Sequence, residues 1–358
     1  MLFDLTPKDS PEALFGREKE LTELVRLIEA GRWVTVLGPR MVGKTSLIKV
    51  ARAKLDRQTV YVNLWGARGI QGLLNALVQS INSSMSLSKK IEDAAGRIEG
   101  LSVGTSGLSV TLPRRPLTTL WNLLDLLGRQ EQNIVIELDE VQELSNVSGQ
   151  LLKVLANIFN THPHVVFVFT GSMFGLIRTL LHPESSKSPM YGRPPAELYL
   201  KRFDREQVAE FLTQGFKECN IKPPSNLMSQ EVEAKLDGTP GWLTLYGNNI
   251  TISRLSPEEA LQKTVDQGLR VVREELEHFL EGRDRNLTLT ALSAMANPAK
   301  WSDVKASVEA RRGTPVSDST IIGVLKSLED GLLIDHKDKI YQVTDPMLRT
   351  LLLTGTLP

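Results

Sequence analysis

The chain has 358 residues, and its 42 Lys and Arg balance 42 Asp and Glu for a formal net charge of zero. That length allows two or three domains with real cores, and the neutral balance argues against a wholesale polybasic nucleic-acid binder while leaving room for a local basic patch. One cysteine, Cys219, excludes an internal disulfide and a Cys-rich metal cluster and fits a reducing, cytoplasmic interior, and no stretch has the length of a signal peptide or a membrane helix.

The first predicted element follows "LFGREKEL" at residues 14–21. It is an amphipathic helix from Glu20 to Ala30, with Leu21, Leu24, Val25 and Ile28 on one face and Gly31 closing it. From the residues alone, Phe15–Gly16–Arg17–Glu18 is a helix cap. "RWVTVL" (32–37) then reads as a short buried strand ending at Leu37, and "KTSLIKVARAKL" (44–55) as a helix with Leu47, Ile48, Val50, Ala51 and Leu55 in register. Between them lies "GPRMVGKTS" (38–46): a glycine, four residues, then Gly43–Lys44–Thr45. Strand, glycine loop and helix are the setting of a phosphate cradle. Gly38 and Gly43 permit backbone conformations in which N–H groups converge on phosphate oxygens. The helix N-terminus adds positive potential. Lys44 supplies a point charge to the outer phosphates, and the Thr45 hydroxyl is suited to Mg²⁺. The competing reading is a plain strand-to-helix turn. The five histidines show no helical His-x-x-x-His pair, so no metal beyond Mg²⁺ is expected.

Further strands are predicted at 59–64, 133–138, 164–170 and 197–203. Helices fall between them at Ile70–Ile81, Leu117–Gly128, Gly149–Asn160 and around Leu176. Near-continuous apolar strands separated by amphipathic helices imply an α/β fold with a parallel sheet covered on both faces. "LSVGTSGLSVTL" (101–112) alternates polar and apolar around central glycines and reads as an inserted β-hairpin. "IVIELDE" (134–140) is a hydrophobic strand ending in two acids. Beside a phosphate loop, Asp139 is placed for a metal shell, and Glu140 to orient and deprotonate a water. Standing alone, the pair is also consistent with an acidic turn. Glu137 interrupts the strand on the same side as Asp139, and a buried carboxylate without a partner is costly. A basic group, the metal shell or emergence into solvent would each answer it.

After Asp204 the pattern becomes helical. "DREQVAEFLTQGFKECN" (204–220) carries Val208, Phe211, Leu212 and Phe216 in register, and further helices run to about Arg254 and through "SPEEALQKTVDQGL". Residues 266–282 place Leu269, Val272, Leu276 and Phe279 at helical spacing and read as a connecting helix. From Asp284, three helices, the last capped by Ser317, precede two short strands around a polar turn in "IDHKDKIYQVT". Three helices and a β-ribbon make a winged helix-turn-helix. From Arg285 on, nine Lys and Arg face eight Asp and Glu, which is nearly neutral for a DNA reader. Arg311, Arg312, Lys337 and Lys339 leave a local patch, so DNA contact and protein docking both stay open.

The ordered set "LFGREKEL", "GPRMVGKTS", "IVIELDEVQEL", "VFTGS", "MYGR" and "GTPGW" resembles the archaeal family of AAA+-related ATPases grouped with the signal-transduction ATPases with numerous domains (STAND). The similarity runs from about Leu14 to Leu352. It implies a P-loop ATPase α/β domain over 1–203, a helical lid with its connecting helix over 204–283 and a winged helix over 284–358. It implies ATP or ADP and Mg²⁺ as cofactors. Phe15, Gly16 and Arg17 match a box lying over the adenine. Gly38, Arg40, Met41, Val42, Gly43, Lys44, Thr45 and Ser46 match the phosphate loop. Asp139 and Glu140 match the metal and water site, and Thr170 to Ser172 the segment that senses the γ-phosphate. Arg193 matches an arginine aimed at the terminal phosphate, in its own subunit or across an interface. Gly238, Pro240 and Trp242 match a lid turn closing over the base, and they also suit an ordinary turn. Met41 is a departure that the loop pattern tolerates. The implied activity is an ATP-hydrolysing switch with a nucleotide and a protein as partners and no membrane. The alternative is a DNA-associated protein whose nucleotide controls DNA affinity. A ring-forming motor would need an interface, and the sequence leaves the oligomeric state open.

Overall fold

A computed structural model describes residues 1–105, 107–130, 133–171, 191, 193–224 and 230–355. The helix expected around Leu176, together with Ser172, Met190 and Gly192, lies outside the described residues. The chain forms two compact units.

The first unit comprises Lys8–Gly38 and Lys44–Leu200. Its elements are α1 (Glu18–Glu29), β1 (Val34–Leu37), α2 (Lys44–Lys54), β2 (Gln58–Asn63), α3 (Gly69–Ser83), α4 (Met85–Ala95), β3 (Leu101–Gly104) and β4 (Gly107–Val110). They continue with α5 (Pro116–Gln130), β5 (Ile134–Asp139), a 3-10 turn at Val141–Val147, α6 (Ser148–Thr161), β6 (Val166–Thr170) and β7 (Ala196–Tyr199). Five strands form one parallel sheet in the order β2-β5-β6-β1-β7. Every residue of β1, β5 and β6 is buried, whereas β2 and β7 at the edges mix buried and exposed positions. Burial on both faces is why the central strands read as unbroken apolar runs. Leu74 and Leu77 of α3, Leu120 and Leu124 of α5 and Leu155 of α6 share one core with Ile136 and Phe167 of the sheet.

Two elements differ from expectation in this unit. The edge strand stops at Tyr199 rather than at 203. The helix α4 was not anticipated, although Leu87, Ile91 and Ala95 stand at i, i+4, i+8 and are fully buried; its serines and lysines dilute that period. The hairpin forms as β3 and β4, and the side chain of Asn82 on α3 binds both the N–H (3.0 Å) and the C=O (2.7 Å) of Leu108.

The second unit comprises Met1–Pro7, Pro39–Gly43 and Lys201–Pro358. Its elements are α7 (Arg205–Glu218), α8 (Gln230–Leu236), α9 (Pro240–Thr251), α10 (Pro257–Leu280), α11 (Arg285–Ala294), β8 (Ala299–Lys300), α12 (Trp301–Arg312), α13 (Asp318–Asp330), β9 (Ile334–Lys337), β10 (Ile340–Val343) and α14 (Pro346–Leu353). Capping boxes start α7 at Asp204 and α10 at Ser256. The region from 257 to 280 is one helix of 24 residues, which takes in both the last lid segment and the connecting helix expected from 266. The strands β8, β10 and β9 form an antiparallel sheet in that order. The pair β9 and β10 was expected; two-residue β8 and the Asp345-capped α14 were not. Met347 of α14 packs on Gly268 of α10, and Arg202 donates to the Thr344 carbonyl at 2.9 Å. Among the described residues, no helix is long and apolar enough to cross a membrane.

Candidate functional site

Parallel strands present their carboxyl ends together, and ligand sites of open α/β sheets form at those ends. Here β5, β6 and β1 are neighbours, with Leu138 opposite Phe169 and Thr170 opposite Val36. Asp139, Thr170 and Gly38 therefore stand at three adjacent strand ends. Lys44 is buried, and its ammonium donates to the Gly38 carbonyl at 3.0 Å. Gly43 has φ +97°, and a Cβ there would meet nothing within 4 Å. Its conformation, not crowding, demands glycine, and open space faces the loop.

The Asp139 side chain is buried, and three hydroxyls converge on it. Thr45 donates to Oδ2 at 3.0 Å, Tyr61 donates to the same oxygen at 2.8 Å, and Thr170 donates to Oδ1. This donor set fits a hard divalent cation. One carboxylate and one hydroxyl, completed by phosphate oxygens, is the usual provision for Mg²⁺, rather than an all-protein cage. Among the described residues, no group of three or more His, Cys, Asp or Glu suited to a metal occurs.

Glu140 adopts φ +60°, a left-handed conformation unusual for a residue with a side chain. Its Oε2 accepts from the Gln142 amide. Glu137 faces Arg52 of α2, whose Nε and terminal nitrogen donate to Oε2 at 2.9 and 2.5 Å. The carboxylate that the sequence left unexplained is thus half of a buried ion pair. Burial pushes its pKa up to about 7, against the opposing pull of the Arg52 guanidinium. The same guanidinium lies 4.5 Å over the ring of Tyr61. The Tyr61 hydroxyl is held above its ordinary pKa by burial and then by the Asp139 charge, so it stays a donor.

The remaining sequence-derived positions fall as follows. Phe15 is half-buried, Gly16 has φ +65°, and Arg17 is buried at the start of α1 with its guanidinium 3.2 Å from Glu20. Desolvation lowers the Arg17 pKa, and Glu20 opposes the shift. The Ser46 hydroxyl accepts from the Lys8 N–H at 3.1 Å. The Arg193 guanidinium sits 5.8 Å over Phe159, which packs 5.1 Å from Trp33 at the start of β1. The phosphate loop leaves the other end of that strand, so Arg193 does not join the Asp139 cluster of its own chain.

In the helical unit, Arg40 pairs with Glu275 of α10, and the Met41 carbonyl accepts from the Gly241 N–H at 2.8 Å. Val42 is buried. Pro240 is the first residue of α9, and Trp242 is inside that unit at 2% exposure, its indole N–H and the Thr239 hydroxyl both lacking a hydrogen-bond partner. Sequence reasoning missed Arg52, Tyr61, Gln142 and Glu275. Only Tyr61 carried a signal, since alternation puts it and Asn63 on one face of β2, opposite Glu137 and Asp139 of β5.

The model of an ATPase domain predominantly from Archaea matches residues 14–245. The chain belongs to that family. The chain is similar to the Walker-type ATPase PABY2304 of Pyrococcus abyssi, with 26% identity, a TM-score of 0.77 and coverage of 99% of this chain and 100% of that one. It is similar in fold to Cdc6p from Pyrobaculum aerophilum, at 15% identity, a TM-score of 0.50 and coverage of 99% and 98%. No match is found among curated proteins. Family membership and the Walker-type likeness together imply ATP binding and hydrolysis.

Proposed function

We propose that this ATPase is a nucleotide-driven switch. In this reading the loop at 38–46 takes the phosphates, with Lys44 on the outer ones. Thr45 and Asp139 would hold Mg²⁺, which when bound neutralises phosphate charge. Glu140, oriented by Gln142, accepts the proton of the attacking water. Thr170 reports on the γ-phosphate through its bond to Asp139, and Phe15, Gly16, Arg17, Pro240 and Trp242 serve the base. Helices α7 to α10 act as the lid, and residues 284–358 as a winged-helix effector in a cytoplasmic protein.

The observation that carries the switch is the pair of contacts made by the loop tip: Met41 with Gly241 of α9, and Arg40 with Glu275 of α10. A change in the loop on phosphate loss is felt directly by the lid helix and by the helix that packs on α14. A protein partner is favoured over DNA because two of the cations on α12 are already paired with acids. Lys305 lies 2.6 Å from Asp318, and Arg312 pairs with Asp284. The test is a distance measurement between labels on the first unit and on residues 284–355, in Glu140→Gln protein with ATP and then with ADP. A shift is expected; identical distance distributions would count against the switch.

A further inference from the structure

We propose that Tyr61 is a positioning residue for the metal-side carboxylate, fixing Asp139 in the orientation that a divalent cation requires. The inference rests on reading Asp139 as that carboxylate. Its basis is a chain of contacts. Asp139 Oδ2 accepts from two hydroxyls, Thr45 at 3.0 Å and Tyr61 at 2.8 Å. Thr170 engages the other oxygen, so both carboxylate oxygens are fixed. Thr45 and Thr170 have short side chains set by the loop and by β6. Tyr61 reaches in from β2, on the opposite side of β5 from β6. A carboxylate held from one side only is free to rotate about its Cα–Cβ and Cβ–Cγ bonds. Tyr61 removes that freedom from the far side.

The tyrosine is itself held. Arg52 covers its ring at 4.5 Å, and Arg52 is pinned by two hydrogen bonds to buried Glu137. Register places Tyr61 opposite Glu137, so the four side chains of Arg52, Tyr61, Glu137 and Asp139 form one interlocked set. Outer partners that orient metal ligands typically change metal affinity by roughly 10- to 100-fold when removed. The hydroxyl of Tyr61 meets that description: it touches the ligand and not the reacting atoms.

The test titrates Mn²⁺ into ADP-loaded protein and reads bound metal by electron paramagnetic resonance. Metal-free ADP affinity is measured alongside by calorimetry in a chelator. Tyr61→Phe keeps the ring and its stacking and removes only the hydroxyl. It should weaken Mn²⁺ binding by roughly tenfold or more while ADP affinity without metal stays within about twofold. Asp139→Asn serves as the reference. If Asp139→Asn loses the metal and Tyr61→Phe keeps it, the positioning role is overturned and the reading of Asp139 stands. If Asp139→Asn also keeps it, the reading of Asp139 fails and takes the proposal with it. If Tyr61→Phe weakens ADP equally with and without metal, the hydroxyl acts on the fold at large, and the proposal is overturned.

Discussion

At its ends the phosphate loop is held by side chains inside the α/β unit, and at its tip by a backbone bond and a half-exposed ion pair in the helical unit. Lys44 reaches back to Gly38, Thr45 to Asp139, and Ser46 to the backbone of Lys8. Around these ends lie buried, directional groups whose loss leaves desolvated polar atoms behind. Met41 offers only its carbonyl to Gly241, and the Arg40 and Glu275 side chains are 26% and 31% exposed. A half-exposed ion pair contributes about 1 kcal/mol or less and is screened by salt. The contrast separates two tasks within nine residues. In the proposed switch the ends need fixed geometry for chemistry, and the tip needs contacts weak enough to be released.

The largest expected effect breaks the rigid side. Arg52→Ala leaves the Glu137 carboxyl buried without its cation beneath α2, and its pKa, already pushed up to about 7, rises further, so the group is held as the neutral acid. Removal of one member of a buried pair costs up to about 3–5 kcal/mol, the lower part of that range applying where the stranded acid is neutralised. Urea unfolding of Arg52→Ala should show that loss, whereas the double change Arg52→Leu with Glu137→Leu, which removes both charges, should recover most of it. A single variant as stable as the wild type would mean that the pair does not anchor α2 to β5.

Next comes Lys44→Ala, which removes the point charge at the loop's end. Nucleotide binding should weaken by more than about 2 kcal/mol, the range of a lost charge-assisted contact. Unchanged ADP affinity by calorimetry would remove the phosphate loop from the proposed site. Melting measured alongside tells loss of the phosphate contact apart from loss of the Lys44 bond to the Gly38 carbonyl within the fold.

The rigid side was largely legible in the sequence, and the tip was not. The spacing of Gly38, Gly43, Lys44 and Thr45 and the apolar run into Asp139 are local patterns, and local chemistry fixes what they do. Glu137 was legible as a problem but not as a solution. Its partner lies 85 residues away on a helix face that periodicity assigns to solvent. The alternation that puts Tyr61 and Asn63 on one face of β2 was a signal only in part, because its importance depends on β2 pairing with β5 in a particular register. The contacts of the tip are less legible still. A backbone carbonyl meeting a backbone N–H 200 positions later has no side-chain signature, and Glu275 is one of many acids on a charged helix. The extra helix α4 and the terminal α14 were missed for a different reason, since short amphipathic segments rich in Ser, Lys or Thr give a weak period.

Gly241→Ala tests the tip. A Cβ at Gly241 would lie 2.7 Å from Met41 Cε and 3.0 Å from the Met41 carbonyl oxygen. The methyl end of Met41 can move aside; the carbonyl is fixed by the loop, so the start of α9 must shift away from it. Overpacking of this kind costs about 1–3 kcal/mol. ADP release followed by stopped flow should be several-fold faster, while Mn²⁺ affinity, which depends on the ends, holds. Parallel losses at both would erase the division between tip and ends.

The smallest expected effect belongs to Arg193, and its smallness sharpens the same division. The resemblance put a phosphate-directed charge here, yet the guanidinium rests on Phe159 at the opposite end of β1 from the loop. A cation over an exposed aromatic ring is worth about 0.5–1 kcal/mol, so Arg193→Ala should cost little stability. Within one chain the lost charge is too far along the strand to act on a phosphate at Lys44, and a strand of four residues spans about 13 Å at 3.3 Å per residue. At that separation in water-exposed surroundings, screening removes most of the interaction. Hydrolysis per chain should therefore be unchanged by Arg193→Ala in dilute protein. Measuring turnover across a wide range of protein concentration separates the two possible uses of the residue. A defect at every concentration would mean that Arg193 acts inside its own chain in a conformation other than this one. A defect that appears only on concentration would assign the arginine to a neighbouring copy's site and give the phosphate loop a third set of contacts, supplied from outside the chain.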